Sequence, residues 1–166
     1  EIPKRDWSSD VCSSDLMENR VLIAIDLSEN SLKAVDYVGR VLSCHQDTRI
    51  TLLNVIKEPS SDLVPDAGER HRQVEELRAE TLKRMEEAAG RLIALGMPEQ
   101  SVRLKVQVCS MPVSVTDLIL KEVREGGYST VVVGRRGVSK REEFLFGSVS
   151  SKVVREAHQC TVWVVV

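Results

Sequence analysis

Gly134, Gly137, Gly147 and Ser148 follow the apolar run Val131, Val132, Val133, with two residues between the first pair of glycines and nine between the second. A strand that feeds into closely spaced glycines and then a helix presents unpaired backbone N–H groups beside a positive dipole end, which suits a phosphate. The stretch 130–152 therefore reads as the floor of a nucleotide site. Gly134 and Gly137 would let the backbone approach a ribose and a phosphate where a Cβ would collide or resist positive φ; the plainer reading of each is a turn. Gly147 and Ser148 open a helix, so their amides and the Ser148 hydroxyl can bond phosphate oxygens. Ser148 taken alone would be an ordinary N-cap.

Other groups are weaker signals. Arg135, Arg136, Lys140 and Arg141 place four cations within seven residues, where a triphosphate would lie, and Glu142 and Glu143 offset them. Exposed cations are more often a solvated face. His45, His71 and His158 are isolated, with no carboxylate and nucleophile at a recognisable spacing. There is no Walker lysine motif, no G-x-G-x-x-G and no pair of carboxylates around the glycines. The expectation is a binding protein and not an enzyme, with slow ATP hydrolysis as the most it would do.

These residues need a scaffold to bring them together. The run 21–25 (VLIAI) reads as a strand covered on both faces, ending at Asp26. Ser28 can cap a helix with apolar positions Leu32, Val35, Val38 and Leu42. A second strand is expected over 49–55, and 57–68 is a polar loop, mobile or ligand-covering. A long helix follows over 69–95, with Val74, Leu77, Thr81, Met85, Ala88, Leu92 and Leu95 on one face, stopped by Gly96 and Pro98. Strict alternation over 102–108 marks a strand near a sheet edge. Met111 and Pro112 are expected to open a third helix with core positions Val115, Leu118, Ile119 and Val123. The glycine stretch supplies the fourth strand and a helix over 147–157, and 161–166 (TVWVVV) is the last strand. Strands alternating with helices imply an α/β fold, a three-layer doubly wound parallel sheet whose ligand sits at the carboxyl ends of the strands. Asp26 and Gly134 can meet there only if the first and fourth strands are adjacent.

The chain has 166 residues, 42% hydrophobic and 29% charged, enough for one domain with a real core. A formal net charge of -2 gives no basic footprint, so no nucleic-acid partner is expected. Cys12, Cys44, Cys109 and Cys160 lie far apart, a pattern of reduced thiols in a cytoplasmic protein. No apolar run approaches the roughly 20 residues of a membrane span, so no membrane association is expected. Residues 1–16 have no period of either 2 or 3.6 and end just before Met17. Within them RDWSSDVCSSDL resembles a peptide produced when sequencing-adapter DNA is translated in frame. They are expected to be a non-native or disordered extension, leaving a single domain over 17–166.

From Met17 onward the chain resembles a universal stress protein domain of the nucleotide-binding kind. The resemblance rests on VLIAIDLSENSLKAV, LLNVI, MPVSVTDLIL and above all GRRGVSKREEFLFGSVSSKV with its terminal strand. It implies five strands in the order 3-2-1-4-5 with about four helices, in the wider adenine nucleotide α-hydrolase-like architecture. It also implies ATP or AMP at the crossing of strands one and four, and a homodimer through the last strand, 162–166. The implied nucleotide contacts are Asp26, Ser28, Val55, Val133, Gly134, Arg136, Gly137, Gly147, Ser148 and Val149. Asp26 would touch the adenosine part or help hold a phosphate-bound Mg²⁺, with a helix cap as its plainer role. Val55 would meet adenine through its backbone. Val133 and Val149 would line the pocket, or simply be core. Ser110 departs from the family, standing where a glycine often precedes the Met-Pro step. The implied role is a nucleotide-dependent regulatory dimer in stress response; the alternatives are a slow ATPase or other nucleotide-using enzyme, and a dimeric interaction module independent of nucleotide.

Overall fold

Strand β1 (Asn19–Ala24) lies in the middle of the sheet because both of its faces are apolar: Val21, Leu22 and Ile23 are all 1% exposed or less. The computed structural model describes residues 19–45, 47–135 and 147–166. Helix α1 (Glu29–Leu42) returns the chain to β2 (Thr48–Lys57), and α2 (Ala67–Ala94) leads through a short 3-10 turn to β3 (Val102–Cys109). Helix α3 (Val115–Gly126) then crosses to β4 (Thr130–Gly134), and α4 (Ser148–Glu156) leads to β5 (Thr161–Val165). All neighbouring strands are parallel, in the order β3-β2-β1-β4-β5. That is the expected five-stranded order.

The two-residue alternation of β1 divides the core. Val21 and Ile23 pack with Val35, Val38, Met85 and Leu92 of α1 and α2, while Leu22 faces Ile119, Val123 and Val153 of α3 and α4. Each such side chain, fully buried, contributes about 1.5–3 kcal/mol. The outer strand β3 keeps alternating exposure, as its sequence predicts for an edge.

Two helix starts differ from expectation, each because of a polar partner. Helix α2 starts at Ala67 rather than 69, since Asp66 caps it by accepting from the Glu69 amide at 2.7 Å. Helix α3 starts at Val115, with Met111 and Pro112 in the turn before it, because Ser114 and Asp117 form a reciprocal capping box one turn later. On its buried face Leu120 replaces the expected Leu118, which is half-buried. Leu77, expected in the core face of α2, is 45% exposed. The polar loop after β2 is tethered: Arg70 Nη1 donates to the carbonyls of Val64 and Pro65 at 2.7 and 2.9 Å.

Candidate functional site

Strands β1 and β4 pair directly, with Ala24 opposite Val133, so the chain leaves both strands side by side at the carboxyl edge of the sheet. In open α/β sheets this is where ligands bind, since helices depart to opposite faces and open a crevice. Asp26 lies one residue beyond Ile25, whose amide still donates to the Leu53 carbonyl at 2.9 Å. The Asp26 side chain is exposed, and its Oδ1 accepts from the Ser28 amide at 3.1 Å. Between them Leu27 takes a left-handed backbone, φ 60°, at a cost of roughly 1–2 kcal/mol for a residue with a Cβ. Ser28 is the N-cap of α1, and its Oγ accepts from the Ser31 amide at 3.3 Å. That is the plain capping role.

Gly134 ends β4 against the first turn of α1. A Cβ there would stand 3.1 Å from the Asn30 carbonyl oxygen and 3.3 Å from the Ser31 nitrogen, both backbone atoms that cannot swing aside. Among the described glycines only Gly96 and Gly127 have positive φ. Gly134 is thus needed for close approach, not for a left-handed turn.

Arg135 joins the two ends of the glycine stretch. Its carbonyl accepts from the Gly147 amide and from Ser150 Oγ, both at 2.8 Å, and its amide donates to the Val165 carbonyl at 2.7 Å. The Gly147 amide, expected to face a phosphate, is therefore committed to Arg135. Gly147 is the N-cap of α4 and offers no side-chain cap, whereas Ser28, Asp66 and Ser114 cap the other three α-helices. Ser148 is the first helical residue and is exposed. The first-turn amides from Ser148 onward thus open the helix without a side-chain cap from Gly147, at the positive end of its dipole.

Val55 continues β2 past the last β1–β2 register pair, Ala24 with Leu53. Leu53 turns its carbonyl to β1, so Val55, two residues on, turns its main-chain groups the same way, beyond that pair. The side chains of Val133 and Val149 belong to the second core cluster, Val133 being 2% exposed and Val149 partly buried. Arg136 and Gly137, like Lys140, Arg141, Glu142, Glu143 and the extension 1–16, lie outside the described residues.

Three contacts at this edge had no counterpart in the sequence reading. Asn54 Nδ2 donates to the Ile25 carbonyl at 2.8 Å, and Arg84 on α2 donates to the Leu27 carbonyl at 3.3 Å. Asn54 is a buried polar residue inside an apolar strand, which is the one signal that could have marked it. Lys152 on α4 bonds Asp117 on α3 at 2.6 Å. That bond, with those from the Ser114 hydroxyl and amide, holds the Asp117 carboxyl down to about 2. Among the described residues no group of three or more His, Cys, Asp and Glu could hold a metal ion.

The universal stress protein family matches residues 17–166. The chain belongs to that family. It is 31% identical over 144 residues to the universal stress protein YxiE of Bacillus subtilis (strain 168), covering 82% of this chain and 92% of the relative. The fold is shared with UspA from Lactobacillus plantarum, at TM-score 0.71 and 18% identity over 90% of this chain and 98% of that one. It is also shared with an Arabidopsis thaliana family member solved with AMP bound, at TM-score 0.60 and 19% identity over 89% and 90%. No described helix of this universal stress protein is long and apolar enough to cross a membrane.

Proposed function

We propose that this universal stress protein binds an adenine nucleotide, ATP or AMP, and acts as a nucleotide-dependent regulatory dimer in the cytoplasm. The observation that carries the reading is the N-terminus of α4, whose N-cap Gly147 supplies no side-chain cap, tied to the exit of β4 through Gly147 and Arg135, at the sheet edge where Asp26 leaves β1. It offers backbone donors for phosphate. The Val55 main chain, past the last β1 pair, supplies a hydrogen-bonding edge for the adenine. The AMP held by the Arabidopsis relative supports the same ligand class here. An exposed carboxylate at Asp26 fits a ribose hydroxyl or a Mg²⁺ carried by the phosphates.

Ligand bound only by the folded state adds RT ln(1 + [L]/Kd), about 2.7 kcal/mol at 100 Kd. Titrating the purified protein with ATP, ADP and AMP should therefore raise its Tm by several degrees. No response at millimolar nucleotide removes the proposal. We read the protein as binding without fast turnover; many turnovers per minute, lost in Gly147→Val with the fold intact, would reverse that.

The dimer is supported by β5. Among the described residues this strand pairs only with β4, and the bonds at Thr161 and Val165 turn alternate main-chain groups inward. Val162 and Val164 accordingly turn theirs outward, as an open edge that another strand can cover. Trp163 packs edge-on against Tyr37, ring centroids 6.0 Å apart, beside a groove of about 430 Å³ also lined by Val164, Val165 and Val166.

A further inference from the structure

Asp26 is flanked by two backbone carbonyls, and each is held by a side chain from a different element. On one side the Ile25 carbonyl accepts from Asn54 Nδ2 of β2 at 2.8 Å; on the other the Leu27 carbonyl accepts from Arg84 Nη2 of α2 at 3.3 Å. Asn54 is 8% exposed and lies on the α2-facing side of the sheet, so its amide is a buried anchor. Leu27 pairs its strained backbone, φ 60°, with a side chain in the core, so two forces act on one residue. Apolar packing pulls the Leu27 side chain inward. The guanidinium bond to its carbonyl keeps the peptide turned so that the Ser28 amide reaches Asp26 Oδ1 at 3.1 Å.

We propose that Asn54 and Arg84 are positioning residues that clamp the peptide groups on either side of Asp26 and thereby fix where its carboxylate stands in the nucleotide site. The proposal rests on the reading of Asp26 as a nucleotide contact. Neither residue need touch the ligand. Their effect is preorganisation: a carboxylate already placed loses less freedom on binding. Arg84 couples the site to α2, the longest of the described helices.

Arg84→Met keeps the aliphatic stem and removes the donor, so it is the primary variant; Arg84→Lys can restore one bond; Asn54→Thr tests the second anchor. Calorimetric affinity for ATP and AMP is measured in each, with and without Asp26→Ala. We expect Arg84→Met to weaken binding about tenfold, Arg84→Lys to recover part of it, and the loss to vanish in the Asp26→Ala background, because the clamp acts through that carboxylate. An equal loss with and without Asp26 would mean that Arg84 meets the ligand itself, and no loss would mean that the clamp is idle; either overturns the proposal. Amide exchange at Ser28 in the ligand-free protein keeps the two readings separate. If the wild type binds no nucleotide, the functional reading fails, while faster Ser28 exchange in Arg84→Met still supports the clamp and unchanged exchange removes it.

Discussion

Lys152 Nζ stands 2.6 Å from Asp117 Oδ1, which joins the helix that opens at Ser148 to the capping box at the start of α3. The bond ties together the two helices on one face of the sheet through a single charged contact. Because Lys152 and Ser114 hold the Asp117 carboxyl at about 2, below its ordinary 3.8, the folded state binds that proton less readily than the unfolded chain does. The stabilisation is therefore present above the unfolded value and lost as pH falls through the window from about 4 to 2. Thermal melts across that window should show a steeper fall for the wild type than for Asp117→Asn. Identical slopes would mean that the contact contributes nothing in solution.

Gly134→Ala tests whether the close approach of β4 to α1 is real. The added methyl meets backbone at Asn30 and Ser31, so the helix start must shift, at about 1–3 kcal/mol for an overpacked site. Gly39→Ala is the control, since its nearest neighbour is the flexible end of Leu95. Urea titration should find Gly134→Ala the more destabilised of the two.

Ser148→Asp should separate stability from binding. A carboxylate in the first turn of α4 complements the helix dipole and adds about 0.3–1 kcal/mol to the fold. The same charge repels a phosphate approaching those amides. The expected result is an unchanged or higher Tm without ligand and no upward shift with ATP; a retained shift would place the phosphates elsewhere.

Val164→Pro addresses the dimer. Its main-chain amide points away from β4, so proline removes an outward donor and leaves the β4–β5 ladder in place. Sedimentation should show the wild type as a dimer and the variant as a monomer with near-native melting. A variant that stays dimeric rules out the β5 edge as the interface.

Four strands were legible as largely apolar runs and β3 by its alternation of apolar and polar residues, and the order that places β1 beside β4 came with the family resemblance. The start of α3 was misread because Pro112 is compatible with a first turn, while the Ser114–Asp117 box that decides the matter is a competing local signal of similar strength. The fate of the Gly147 amide could not be read at all. It depends on the Arg135 carbonyl across the glycine stretch, and hydrogen bonds between distant residues leave no periodicity. Asn54 and Arg84 were missed for the same reason, their partners being carbonyls that every residue carries.

The pairing of Ala24 with Val133 also bears on how the protein is made. The halves of the crevice belong to the first strand and the fourth, so during synthesis the early one must wait for most of the chain to emerge. Contacts this distant in sequence form slowly, after the loop-closure entropy has been overcome. A ligand that bridged them would recognise no partial fold and would add its binding free energy only to the finished sheet.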